Sequence, residues 1–268
     1  MADKPAIAII QARMSSTRLP GKVLLPLAGK PMIHHIVDRV KSCNNVGKVV
    51  VATSIEKSDD PLAQYCAKNN LEYYRGSLKN VLSRFIKILK LYNFDYCVRI
   101  TGDCPLIHPP FIDAQIEALK KYSGDLIWVN GQSSVLEGQG VISSKAIMHV
   151  SEKSNDPDDL EHVGSSYFLN NQNEFNYVEL KIPKEYFNYN YRLTVDEMND
   201  YDFVKYIYEQ NWHDYLINLT DIIEWLGELD KRKINNQHIQ HSQINQQLNT
   251  KRKSFKPDIV GSYTWSES

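Results

Sequence analysis

Short apolar runs rich in β-branched residues alternate with helix-period patterns along the first half of this chain, and that alternation leaves few folds open. "AIAIIQ" (Ala6–Gln11) and "KVVVATS" (Lys48–Ser54) are continuously apolar rather than alternating, as expected of strands covered on both faces. "LEYY" (Leu71–Tyr74) and "DYCVRI" (Asp95–Ile100) read as a third and a fourth strand. Between them lie three helical patterns. In "KPMIHHIVDRVKSC", Pro31 suits the first helical position, and Ile33, Ile36, Val37 and Val40 form one apolar stripe. "SDDPLAQYCAKNN" has Asp60 as N-cap with Pro61 behind it, and "LKNVLSRFIKILKLY" is again amphipathic. A further helix is expected from about Pro110 to Tyr122. The order β-α-β-α-β-α-β predicts an α/β protein: an open, mostly parallel sheet flanked by helices on both faces.

After Asp125 the pattern loosens. "DLIWVN", "YVELKI" and "YRLTVD" read as strands, and helices are expected over Asp159–Asn171, Met198–Gln210 and Asp221–Leu229. Residues 1–233 are read as one domain, with an acceptor-side or dimerisation segment near 125–190. Residues 234–268 form a polar C-terminal extension, rich in Asn and Gln, packed on the body or on a partner chain and partly flexible. Many of the 16 tyrosines fall between Tyr167 and Tyr215 and are expected to pack there or at an oligomer interface. "KRK" at Lys251–Lys253 could touch nucleic acid but is read as a solvated tail.

The net charge of -1 argues against nucleic acid as a partner, so any anion site must come from local clustering. No apolar run approaches the roughly 20 residues needed to span a bilayer, and "MADKPAIAII" lacks the apolar region of a signal peptide. The four cysteines (Cys43, Cys66, Cys97, Cys104) are scattered, with no CxxC pair. Reduced, buried thiols in a cytoplasmic protein are the expectation.

Local clustering is present. From Gln11 to Val37 no acidic residue occurs, while Arg13, Arg18, Lys22 and Lys30 do. In open α/β sheets, ligands bind at the carboxyl ends of the strands. Those ends carry "QARMSSTRLPGK", Thr53-Ser54, Arg75-Gly76-Ser77 and "TGDCPL". The first loop suits polyphosphate. Gly21 and Gly29 let backbone N–H groups approach an anion, Ser15, Ser16 and Thr17 add donors, Arg13 and Arg18 can grip phosphate oxygens bidentately, and Lys22 supplies a point charge. Neither GxxxxGK[ST] nor GxGxxG occurs there, which counts against a Walker A or dinucleotide loop. Asp103 taken alone could cap a helix; facing such a loop it is a natural Mg²⁺ ligand. Spacing alone leaves Asp196 as either a helix N-cap or a second ligand. His34 and His35 are expected to pack or meet solvent. His162 could contact ligand or fill a helix face.

"IIQARMSSTRLPGKVLLPLAGKPM" resembles the acylneuraminate and 3-deoxy-manno-octulosonate cytidylyltransferases, closest to the spore-coat polysaccharide biosynthesis branch with its Q-A-R-M-x-S-T-R-L-P-G-K loop. "RGSLKNVLSRF", "VRITGDCPLIHP", "DLEHVGSSYFLNN" and "YRLTVDEMNDYDFV" agree with that family, and the similarity spans most of residues 5–230. The resemblance implies a Rossmann-like, three-layer fold related to the nucleotide-diphospho-sugar transferases, with CTP, Mg²⁺ and a homodimer. It implies that the loop (Gln11, Ala12, Arg13, Met14, Ser15, Ser16, Thr17, Arg18, Lys22) holds the triphosphate. Thr53, Ser54, Arg75, Gly76 and Ser77, with Thr101 and Gly102, complete the nucleotide site. Asp103 and Asp196 are the implied metal ligands, and Lys22, Arg13, Arg18 and Asp103 the implied catalytic set. One segment departs: the family's G-L-D-V-E-V-F-S stretch is "LEGQGVIS" here, with Gly138 and Gly140 in place of both acids. Glu137, Gln139 and His162 become the candidates for contacting the acceptor.

The activity so implied is cytidylyl transfer. An acceptor hydroxyl attacks the α-phosphorus of CTP in line and pyrophosphate leaves, in the making of a surface polysaccharide. The rivals are a same-fold enzyme using another nucleoside triphosphate, a glycosyltransferase using a sugar nucleotide, and a non-catalytic binding protein. "TGDC" has one Asp where a glycosyltransferase needs a DxD-like pair.

Overall fold

The structure, a computed structural model, describes residues 4–129, 135–183, 186, 192–210, 219–228 and 257–265. Strand β1 (Ala6–Gln11) leads through a long loop, a 3-10 turn at Lys22–Leu24 and a two-stranded ribbon, β2 (Pro26–Leu27) and β3 (Lys30–Pro31), into α1 (Met32–Lys41). There follow β4 (Val46–Ser54), α2 (Asp60–Lys68), β5 (Tyr73–Gly76), α3 (Val81–Tyr92), β6 (Tyr96–Thr101), α4 (Pro109–Tyr122) and β7 (Leu126–Trp128). The second half adds β8 (Gln139–Ser143), α5 (Ser144–Lys153), α6 (Pro157–His162), α7 (Ser165–Asn170), β9 (Tyr177–Lys181), α8 (Met198–Glu209), α9 (Leu219–Glu228) and β10 (Ile259–Thr264).

Among the described residues, eight strands form one sheet in the order β10-β9-β7-β8-β6-β1-β4-β5. All neighbours pair parallel except β8, which runs antiparallel to both β6 and β7. The continuous apolar run of β1 is explained by its position between β4 and β6. Ala6, Ala8 and Ile10 face one core with α1 and α4, and Ile7 and Ile9 face a second with α3 and α5. The fold is a three-layer, Rossmann-like α/β sandwich. From β1 the chain steps to β4 and β5 on one side, then returns to β6 on the other. The strand order thus reverses beside β1, which opens a crevice at the carboxyl ends of β1 and β6. Gly102 brings those two ends together. Its N–H donates to Gln11 O at 2.9 Å, and a Cβ there would stand 2.8 Å from the Cβ of Ala12.

Several expectations need correction. Residues 192–196 are not a strand: Val195 N–H donates to Asp103 O at 2.8 Å and Asp196 N–H to the Asp200 carboxylate at 2.9 Å, so this backbone is held by a loop and a helix start; Tyr191 lies outside the described residues. The helix expected over Asp159–Asn171 is two, broken where Val163 and Gly164 adopt left-handed φ of 56° and 80°. Asp60 is the first helical residue of α2 rather than its cap, and Pro31 precedes α1 by one residue. β8 and α5 carry no strong period in the sequence. Leu229 and the "KRK" triplet lie outside the described residues. The far C-terminal stretch adds β10 to the sheet edge, and Trp265 behind it packs against Phe111 and Tyr186 at 5.3 and 5.4 Å between ring centres. The four cysteines are free and buried. No described helix is long and apolar enough to cross a membrane.

Candidate active site

The loop after β1 is folded back on itself. Gly21, at φ 74°, donates its N–H to Met14 O at 2.8 Å, and Met14 N–H donates to the fully buried Asp59 carboxylate at 2.6 Å. Ser54 donates to the same carboxylate, so the loop is tied to the end of β4. The 3-10 turn that follows aims Lys22 inward. Its Nζ donates to Asp103 Oδ2 at 2.8 Å, Val195 O at 2.7 Å and Asp196 Oδ1 at 2.9 Å. Burial alone would push the Lys22 ammonium down; the charges of Asp103 and Asp196 outweigh it and hold it above its ordinary range. Burial would raise the Asp196 carboxyl, but Lys22, then Arg192 and Arg18, hold it below the usual carboxylate value. Arg18 pairs with Asp196 Oδ2 at 2.9 Å, and Arg13 approaches Glu161 at 3.8 Å.

These groups line one open cleft at the crevice beside β1. Its walls include Gln11, Ala12, Arg13, Ser16, Thr17, Arg18 and Lys22 from the loop, Thr101, Gly102 and Asp103 from the end of β6, and His162 and Asp196 from the second half of the chain. Met14 and Ser15 do not line it; Met14 serves through its backbone, and Ser15 is partly buried. Thr53 and Ser54 are fully buried beneath it. Arg75 is turned to Ser54 O at 2.8 Å and to Asp60 at 2.7 Å, and Gly76 and Ser77 also lie off the walls. Ser77 Oγ instead accepts from Asn80 N–H at 3.0 Å, shaping the turn before α3.

The segment that departs from the family lies outside the cleft walls as well. Glu137 accepts a hydrogen bond from Thr194, and Gln139 Nε2 donates to Val135 O at 2.7 Å. Leu136, Glu137 and Gly138 run through three successive left-handed conformations (φ 60°, 72° and 64°). A Cβ at Gly138 would collide with Cys104 Sγ and Thr101 Oγ1, whereas a Cβ at Gly140 would meet nothing within 4 Å. The first glycine is a packing requirement of this chain, and the second is open space.

The cleft also holds residues that motif reading passed over: Val23, Leu78, Val81, Arg84 and Glu161. Arg84 had a signal. It lies three positions after Val81 and four before Ile88, on the buried face of α3, where a charge breaks the apolar stripe.

Among the described residues no cluster of three His, Cys, Asp or Glu side chains is placed to hold a metal. The two carboxylates Asp103 and Asp196 nonetheless converge on one cation, the Lys22 ammonium. That donor set fits Mg²⁺, which binds through one or two carboxylates with the rest of its shell from water and phosphate.

A phosphate-suited cationic loop and a carboxylate pair at the switch point of a Rossmann-like sheet define a nucleotidyltransferase-type site. Residues 7–223 match the family described as cytidylyltransferase. The chain is 32% identical over 223 residues to the spore coat polysaccharide biosynthesis protein SpsF of Bacillus subtilis (strain 168), which spans 82% of this chain and 92% of that protein. It is 38% identical to the 3-deoxy-manno-octulosonate cytidylyltransferase of Zea mays over 120 residues, 43% of this chain and 39% of the other. Of solved structures, a cytidylyltransferase from Leptospira borgpetersenii serovar Hardjo-bovis (strain JB197) is similar at TM-score 0.78 and 29% identity, covering 88% of this chain and 99% of that one. A CMP:2-keto-3-deoxy-manno-octonic acid synthetase shares the fold at TM-score 0.61 and 18% identity, over 77% and 99% of the two chains. The chain belongs to the cytidylyltransferase family and is a CTP-dependent nucleotidyltransferase.

Proposed function

We propose that this enzyme transfers the cytidylyl group of CTP to a small acidic acceptor, a sugar acid or a related compound, for the making of a surface polysaccharide. The acceptor hydroxyl attacks the α-phosphorus, the bond to the bridging oxygen breaks, and pyrophosphate leaves. The product is CMP-linked, or CDP-linked if the acceptor is itself a phosphate. The observation that carries the reading is the convergence of Lys22 on Asp103 and Asp196 at the end of the cationic loop. The name of the Bacillus subtilis relative supports polysaccharide synthesis as the setting.

In this reading catalysis is positioning and charge neutralisation. Arg13 and Arg18 hold the β- and γ-phosphates, and Lys22 balances charge on the α-phosphate. The N–H groups and hydroxyls of Ser16 and Thr17 orient phosphate oxygens. Asp103 and Asp196 are the residues that would hold Mg²⁺, which when bound neutralises phosphate charge and lowers the pKa of an attacking hydroxyl. His162, on the cleft wall, faces the acceptor side. In this reading the enzyme is cytoplasmic, where CTP is made, and, as the family resemblance implies, a homodimer.

A pyrophosphate-release screen with CTP, UTP and GTP tests this. The acceptors are nonulosonic acids, octulosonates, related acids and phosphorylated or phosphonate compounds, with Mg²⁺ present. Release with CTP and one acceptor class supports the reading. Faster release with UTP or GTP, or calorimetric binding of CTP without turnover on any acceptor, counts against it.

A further inference from the structure

Arg84 is the cation of the cleft that no described carboxylate contacts. Lys22 and Arg18 each meet carboxylates at 2.9 Å or less, and Arg13 has Glu161 at 3.8 Å. Arg84 makes no ion pair within 4.0 Å with any described residue. It is 3% exposed, and its one hydrogen bond to a described residue runs from Nη1 to Ser77 O at 2.9 Å. Its Nε is buried with no acceptor. The opposite charge that it feels is Asp59, whose oxygens already accept from Met14 N–H and from Ser54. Burial pulls the guanidinium down to about 10, Asp59 offsets part of that, and the like charge of Arg13 adds to it.

The place of Arg84 is built rather than accidental. Its stem lies across Gly76, where a Cβ would come to 2.9 Å from Arg84 Cγ, so the glycine at the end of β5 makes room for the side chain. A cation enclosed this far with a carbonyl as partner is costly unless an anion arrives. Its open side is the cleft, which it lines together with Arg13.

We propose that Arg84 acts with Arg13 as the seat for the terminal phosphates of the nucleotide, the part that leaves as pyrophosphate. The identity of the anion rests on the nucleotidyl-transfer reading above. A diphosphate end, with at least two charges, satisfies two guanidiniums at once, which a single acceptor carboxylate does not. Arg13 also belongs to the loop that suits phosphate. Arg84 is therefore a substrate-binding residue contributed by α3.

Calorimetry on the full chain with three probes, pyrophosphate, CTP and CMP, tests the assignment on wild type, Arg84→Gln and Arg84→Lys. Arg84→Gln is expected to weaken pyrophosphate and CTP by roughly ten- to a hundredfold, the size of a lost charge-assisted hydrogen bond, with CMP unchanged. Arg84→Lys keeps the charge but loses the fork, and is expected to weaken both several-fold while folding as wild type in a thermal melt. Unchanged pyrophosphate and CTP affinities would overturn the proposal. So would an equal loss for CMP, which would make Arg84 a support of the nucleoside half or of the fold. Should Arg84→Gln not fold, the lysine variant decides alone by the same comparison. Pyrophosphate carries no base, so this arm reads Arg84 even if the enzyme prefers another nucleotide. A wild type that binds neither pyrophosphate nor any nucleoside triphosphate sinks the proposal outright.

Discussion

Lys22 Nζ lies 2.8 Å from Asp103 Oδ2, joining residues 81 positions apart and closing the phosphate-suited loop onto the end of β6. The same ammonium reaches Asp196, 174 positions away, at 2.9 Å. One side chain therefore sets the spacing between the loop and both carboxylates. Lys22→Ala is expected to lower kcat by on the order of a hundredfold, as when one preorganised electrostatic stabiliser is lost. Pyrophosphate release at saturating CTP measures it, and turnover near the wild-type rate would remove Lys22 from the machinery.

The position of that ammonium between the carboxylates has a second consequence. In the proposed reading a divalent cation would draw on the same two acceptors as Lys22. In the absence of nucleotide, Lys22→Met is expected to bind Mn²⁺ several-fold more tightly than the wild type, because Asp103 loses its ion pair and Asp196 keeps only Arg18 and Arg192. Electron paramagnetic resonance of free Mn²⁺ reads this without any turnover. Equal affinity in the two proteins would show that Asp103 and Asp196 do not share a cation site.

Gly138 and Gly140 both stand where the family resemblance leads one to expect acids, yet their surroundings predict opposite outcomes. Gly138→Ala places a methyl against Cys104 and Thr101 at φ 64° and should destabilise the fold by about 2–4 kcal/mol, combining overpacking with left-handed strain. Gly140→Ala meets nothing within 4 Å and should stay within about 0.5 kcal/mol of wild type. Denaturant melts of the two variants would contradict this if their losses were alike.

His35 supplies a pH dependence. Its Nε2–H donates to Leu27 O at 2.7 Å, and its ring packs on Tyr208 with centres 4.7 Å apart. Burial holds its pKa below the ordinary 6.5, with Arg39 and Lys30 adding to that against the Leu27 hydrogen bond. As pH falls through 6.5 the unfolded chain takes up the proton first, so the unfolded state binds more protons and stability drops. The slope for one group is at most about 1.4 kcal/mol per pH unit. Unfolding free energies at pH 7.5 and 5.5 should diverge more for the wild type than for His35→Asn. A variant with the same slope would exclude His35 as the source.

Pattern and composition determined what depends on near neighbours. β1, β4 and β6 are legible because strands covered on both faces must be apolar throughout, and the helices between them because one face must be. The cationic loop is legible because a stretch without acids stands out in a chain whose charges nearly cancel. Only the tertiary structure decided what depends on distant partners. β8 is a strand because it pairs antiparallel with β6 and β7, not because "QGVIS" has a strong period. Arg192–Asp196 looks like a strand in sequence, but its backbone is claimed by Asp103 and Asp200. Arg75 reads as a ligand from its place after a strand, while Asp60, a helix away, turns it aside. Arg84 interrupts the apolar stripe of α3 in sequence, but only the cleft beside it shows what the charge faces. Local sequence reports burial and propensity; it does not report which charge finds which, because that is set by how the chain closes on itself.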